Sequence, residues 1–141
     1  MKVAVVDGQG GGIGRLLVEK LRQEFGESIS IIALGTNALA ASGMMRAGAN
    51  EGASGENAMV FSLRKADAIV GSVAILAANA FSGELTPRMA EAVASSDAVK
   101  VLLPINRSGI ELVGVLDEPL PMQAEAVVNK LRRMIETKDM R

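Results

Sequence analysis

The chain has 141 residues, 49% of them apolar and 22% charged, with a net charge of −1; that describes one globular domain with room for a single real core. It contains no Cys and no His, which removes disulfides, thiolate chemistry, the common metal ligands and the usual imidazole base. A near-neutral charge and 2% aromatics, with neither Tyr nor Trp, leave no basic surface and no stacking platform for nucleic acid.

Met1-Lys2 precedes only four apolar residues, so no signal peptide is visible. No apolar run approaches the ~20 residues of a membrane span. The expectation is a cytoplasmic protein without a membrane partner.

Val3 to Val6 is a continuous apolar run, the pattern of a strand covered on both faces of a parallel sheet. Asp7-Gly8-Gln9-Gly10-Gly11-Gly12-Ile13-Gly14 follows, with five of the chain's 15 glycines. A helix is expected from about Gly12 to Phe25, its stripe being Ile13, Leu16, Leu17, Leu21 and Phe25, with Gly26 as its stop. Ile29 to Leu34 is a second apolar run, which completes a right-handed βαβ unit. Thr36 or Asn37 caps a further helix to about Ala47, with Leu39, Ala40, Met44 and Ala47 facing inward.

Another helix, starting at Ser54-Gly55-Glu56-Asn57 and ending near Ala66, would cross the sheet one time too many. A short extended segment around 48–52 removes the conflict by returning the chain to the rim where the strands end. Ala68 to Gly71 is the next strand, and Val73 to Phe81 reads as a short apolar helix. Thr86-Pro87 is an N-cap and first helical residue, opening a helix to about Ser95. For the strand Ala98–Leu103 to run parallel, residues 72–85 must lie across the rim as a cover. Pro104 ends that strand, Asn106-Arg107-Ser108-Gly109 turns, and Ile110 to Leu116 is expected to return as an antiparallel edge hairpin. A last helix runs from about Pro121 to Ile135 on Ala124, Val127, Val128, Leu131 and Ile135. The tail from Thr137 is expected to fray.

The fold expected is α/β: a Rossmann-like three-layer arrangement over residues 1–141, a mostly parallel sheet with an antiparallel edge hairpin. Strand, glycine loop and helix together present backbone N–H groups and a helix N-terminus to a phosphate. Each additional glycine costs roughly 0.5–1 kcal/mol of backbone entropy, and close approach of a ligand is a reason to accept it. Gly8, Gln9, Gly10, Gly11, Gly12, Ile13 and Gly14 are therefore the expected ligand loop, with Gln9 and Ile13 lining the pocket.

Gly8, Gly12 and Gly14 fit the spacing G-x-x-x-G-x-G, and Gly12-Ile13-Gly14 resembles the cofactor loop of short-chain dehydrogenases/reductases. The resemblance covers about residues 2–25 and implies a dinucleotide diphosphate over the helix N-terminus. NAD or NADP is then the implied cofactor, with a flavin, a mononucleotide or a phosphorylated metabolite as other occupants. The catalytic Tyr of that family has no counterpart here. Nor does the second strand end in the acid that usually binds a ribose hydroxyl, since Leu34-Gly35-Thr36-Asn37 stands there. Thr36 and Asn37 could bond a ribose or a 2′-phosphate, with charge from Arg15 or Arg46, or could merely cap the helix.

The same glycine run, with Gly35-Thr36-Asn37, Gly52-Ala53-Ser54-Gly55-Glu56-Asn57 and Gly83-Glu84-Leu85-Thr86-Pro87, resembles a small bacterial family known only as a domain of unknown function. That resemblance spans nearly the whole chain and implies no activity.

Ser54, Glu56 and Asn57 would face the glycine loop across the crevice, or only start a helix. Of Asn79, Glu84 and Thr86 in the cover, Glu84 is the best placed acid for proton transfer, although an exposed loop Glu is its default reading. Arg107, between Asn106 and Ser108 at a strand's carboxyl end, could neutralise a phosphate or carboxylate, or simply sit in water. Asp7 could hold a ribose, a cation or the loop itself. Met44, Met45, Met59 and Met89 read as core or subunit interface. A mean hydropathy of +0.28 on so small a domain suggests a homo-oligomer.

The function expected is a nucleotide-binding or regulatory module. One alternative is a small NAD(P)-dependent oxidoreductase or other enzyme, with Glu84 or Glu56 as acid/base and a site completed by a second subunit. The other is a structural subunit without a nucleotide.

Overall fold

A computed structural model describes residues 1–105 and 108–137. Its five strands form one all-parallel sheet in the order β3-β2-β1-β4-β5. They are β1 (Lys2–Asp7), β2 (Ser30–Gly35), β3 (Glu51–Ser54), β4 (Ala68–Ser72) and β5 (Val99–Leu103). The helices are α1 (Gly12–Phe25), α2 (Ala38–Arg46), α3 (Glu56–Leu63), α4 (Pro87–Ser95) and α5 (Leu120–Thr137). This is a Rossmann-like three-layer α/β fold.

Strand alternation divides the core in two. Val3, Val5, Ala68 and Val70 face α1 and α5, where Leu17, Leu21, Val128 and Leu131 are buried. Ala4, Val6 and Ile69 face α3 and α4, where Met59, Leu63, Met89 and Val93 are buried. The register Val3↔Ile31 and Val3↔Ala68 aligns the ends of β1, β2 and β4, so the chain leaves all three at one rim. The extended segment expected near residue 50 is the short edge strand β3, parallel to β2.

Three expectations need correction. Leu39 is 65% exposed; Ala40 and Met44 are buried as expected, and Ala41 and Gly43 face inward with them. The reason is close packing: a Cβ on Gly35 would stand 2.7 Å from the Ala41 nitrogen, so the inner face of α2 admits only small residues there. Val73 to Phe81 is not a helix. A 3-10 turn over Val73–Leu76 gives way to turns in which Asn79, Phe81 and Ser82 take left-handed φ values of 69°, 58° and 57°.

The antiparallel hairpin is also absent: the sheet is all-parallel, and Ile110 to Leu116 forms no strand. Topology explains this. Leu120 starts α5 beside the glycine loop, at the carboxyl rim. A seven-residue strand returning from that rim would carry the chain roughly 23 Å down the sheet and start the helix at the wrong end. Asn106 and Arg107 of the expected turn, and 138–141 of the expected frayed tail, lie outside the described residues. No helix among the described residues is long and apolar enough to cross a membrane.

Candidate functional site

The glycine loop leaves β1 at the carboxyl rim, and close contacts explain three of its glycines. A Cβ on Gly8 would stand 2.7 Å from the Phe81 ring and 2.7 Å from Thr36 Oγ1. One on Gly11, whose φ is +73°, would stand 2.8 Å from Ala40 Cα. One on Gly14 would collide with the Met44 sulfur and meet Asp7 Cβ at 3.0 Å. Gly10 and Gly12 differ. Among the described residues, nothing lies within 4 Å of a Cβ on Gly10, and only Arg15 Nη2, at 3.9 Å, approaches one on Gly12. Neither has a positive φ, and both are exposed. Packing among the described residues does not require glycine at these two positions.

The loop's N–H groups divide the same way. Asp7, 5% exposed, accepts from Gly8 N at 2.8 Å through Oδ1 and from Gly14 N at 2.6 Å through Oδ2. Gly11 N donates to Gly8 O. Gln9, held at a left-handed φ of 48°, donates its N–H to Glu84 Oε1 at 2.8 Å. The N–H groups of Gly10, Gly12 and Ile13 have no partner among the described residues. They border a shallow cavity of about 360 Å³ roofed by Phe81 and Leu120. Next to it lies a second hollow of about 410 Å³ that shares Gln9 and Phe81 and reaches Ser108.

Glu84 sets a carboxylate against the end of β2. Its Oε1 also accepts from Thr36 Oγ1 at 2.6 Å and from Asn37 Nδ2 at 3.0 Å. Asn37 donates again to Gln9 O and caps α2 by accepting from Ala40 N. One carboxylate thus ties the cover, the glycine loop and the β2–α2 turn together. The Thr36 hydroxyl, then the Gln9 N–H, hold the Glu84 pKa below the ordinary carboxylate range, against a smaller opposing effect of burial; the Asn37 amide adds to the lowering. An acid held ionised in this way is poorly suited to give up a proton.

Ser54, Glu56 and Asn57 stand at the same rim but make no hydrogen bond to the loop. Ser54 borders a surface hollow beside α2, and Asn57 is exposed. Glu56 accepts from Thr86 Oγ1 at 2.6 Å and pairs with Arg88 at 3.8 Å, fastening α3 to the start of α4. Thr86 is the expected N-cap, accepting from Met89 N. Arg107 lies outside the described residues. Met44, Met59 and Met89 are core residues, whereas Met45 is 40% exposed against Gly52.

Sequence reasoning missed Ser72. It ends β4 at 2% exposure, and its hydroxyl is the one buried side-chain polar atom without a hydrogen bond among the described residues. The register Val5↔Val70, continued by two residues, sets it beside Asp7 on the α1 face. An unpaired buried hydroxyl costs about 1–3 kcal/mol, so its place next to the loop is informative. A larger hollow of about 530 Å³ runs between α3 and α4, away from the strand ends where open α/β sheets bind ligands.

One family model, described as Domain of unknown function (DUF3842), matches residues 2–136. The chain belongs to that family. The DUF3842 match covers every element of the sheet and the whole site, so loop, cover and Glu84 clasp all lie within the family's span. No curated protein matches the chain.

Proposed function

We propose that this DUF3842 protein is a nucleotide-binding module that receives a ligand phosphate on the N–H groups of Gly10, Gly12 and Ile13. The observation that carries this reading is the pair Gly10 and Gly12. Both have room for a side chain and ordinary backbone angles, yet both are glycine, at the lip where unpartnered N–H groups meet a cavity. Close approach of a ligand backbone or phosphate accounts for that choice, and the N-terminus of a 14-residue helix favours an anion there. The unpaired Ser72 hydroxyl gives a further polar group on the same side of the sheet.

Glu84 narrows the ligand. Its anion lies on Thr36 and Asn37, the residues at the end of β2 where a ribose would be read. It repels a 2′-phosphate and can accept from a ribose hydroxyl, so NAD is favoured over NADP. Its lowered pKa weighs against Glu84 as the acid of the oxidoreductase alternative. The apolar side chains exposed along 112–116 favour a homo-oligomer as the working form.

The test is a thermal-shift panel with NAD(H), NADP(H), FAD, FMN, ATP, GTP and inorganic phosphate. Ligand at a hundred times its dissociation constant adds about 2.7 kcal/mol, a rise of roughly 5–10 °C for a domain of this size. The expected result is a shift with NAD(H) above that with NADP(H). Gly12→Ala should melt no lower than the parent, because its Cβ fits and the unfolded chain loses freedom, and should lose the shift. No shift with any compound, in protein that native mass spectrometry shows to carry nothing, would overturn the reading in favour of a structural subunit. So would a Gly12→Ala variant that keeps the full shift.

A further inference from the structure

Two features of the C-terminal third are each half of a contact. The first is the free edge of the sheet. Val99 N donates to Asp67 O on the β4 side, so by alternation Lys100 and Leu102 turn their backbone N–H and C=O groups to the open edge. A bare edge of this kind invites another strand. Beside it runs a groove of about 510 Å³ between β5, α5 and the chain's own Val115, Leu116 and Glu118, with Lys130 and Arg133 on its walls, while the Lys100 ammonium donates to Ser96 O and Ala98 O.

The second is the arm Ile110-Glu111-Leu112-Val113-Gly114-Val115-Leu116. Its composition is that of a strand, yet it makes no backbone hydrogen bond among the described residues. Four of the nine large apolar side chains exposed among the described residues fall within 112–116, with Val113 fully in solvent. Acidic groups flank them at Glu111, Asp117 and Glu118.

We infer that a second copy of this chain covers the edge, its arm lying in the first copy's β5–α5 groove while the first copy's arm lies in its own. The arm's Leu112 and Val113, which do not line their own chain's groove, match the groove's apolar floor, and Glu111 and Asp117 match Lys130 and Arg133. Groove and arm belong to the same chain, so the contact is self-complementary, as a two-fold dimer requires. The arm cannot return as its own sheet's edge strand without misplacing the start of α5, so strand-like sequence and open edge are satisfied together only between copies. This rests on the reading of the chain as a homo-oligomer, and it names the surface.

Size-exclusion chromatography with light scattering, on the full chain at tens of micromolar, is the test. Expected is a dimer that Val113→Asp converts to monomer with unchanged circular dichroism, while Leu39→Asp, on the exposed face of α2, leaves it dimeric. Hydrogen exchange adds a second readout: the Lys100 and Leu102 amides are protected in the parent and at least tenfold faster in Val113→Asp. A parent that stays monomeric would overturn both the oligomer reading and this surface. An oligomer broken by Leu39→Asp but not by Val113→Asp would keep the oligomer and overturn the surface. Slow exchange at Lys100 and Leu102 in the monomeric variant would show the edge already covered within one chain, and would overturn it too.

Discussion

A single carboxylate oxygen, Glu84 Oε1, accepts three hydrogen bonds from two separate loops, those of Gln9, Thr36 and Asn37. All three favour the ionised form, which is why the pKa falls. The consequence for stability has a definite sign. A carboxyl whose folded pKa lies below its unfolded value stabilises the fold fully above the unfolded pKa, near 4.3. That contribution is lost as the pH falls through the lower, folded value. Glu84→Gln should therefore melt below the parent at pH 7, with the gap closing as the pH is lowered below about 4. Melting curves of the two proteins from pH 7 to pH 3 check this; a constant gap would mean that the clasp does not depend on the charge. Asp7 plays the corresponding part at the loop's other end, so the two acids nearest the site serve first to hold its backbone.

At the scale of elements, the cover from Ala77 to Leu85 is built of hydrogen-bonded turns, and three of its non-glycine residues are left-handed. A left-handed residue with a Cβ costs roughly 1–2 kcal/mol, and a glycine there loses roughly 0.5–1 kcal/mol of entropy in exchange. Ser82 is exposed and its side chain makes no hydrogen bond among the described residues, so Ser82→Gly should stabilise the fold by about 0.5–1 kcal/mol in urea unfolding. An equal loss would mean that Ser82 makes a contact of its own.

The sequence revealed β1, the glycine loop and α1 because their signals are local: an apolar run, a glycine cluster, then a 3.6-residue stripe. It also revealed an extended return around 48–52, which overlaps β3, because a parallel sheet allows only one direction of return. It could not reveal that Glu84 reaches Gln9, 75 residues away, since a loop carboxylate carries no periodicity. It gave Ile110 to Leu116 a strand's pattern, but the pattern does not say whose edge the strand would join. Leu39 failed for a steric reason, because spacing marks a face without marking how closely the neighbouring helix approaches.

The whole molecule ties its site to one rim and its free edge to one side, and the two are separable. The glycine loop lies at the carboxyl end of β1 in the middle of the sheet, whereas the β5 edge and the 110–116 arm lie at its flank. Ligand binding and self-association should therefore respond to different substitutions. Association also has a thermodynamic signature that needs no ligand. A dimer that dissociates on unfolding is stabilised by mass action, so its melting temperature rises with protein concentration. Between 2 and 200 µM, a hundredfold range, the free energy term RT ln 100 is about 2.7 kcal/mol per dimer. For chains of this size that is a rise of a few degrees. The parent and Gly12→Ala should both show the rise, because that glycine does not line the groove beside the edge. Val113→Asp should melt at one temperature throughout the range. A concentration-dependent melt in Val113→Asp would place the association elsewhere on the surface, and a flat melt in the parent would leave the open edge of β5 facing water.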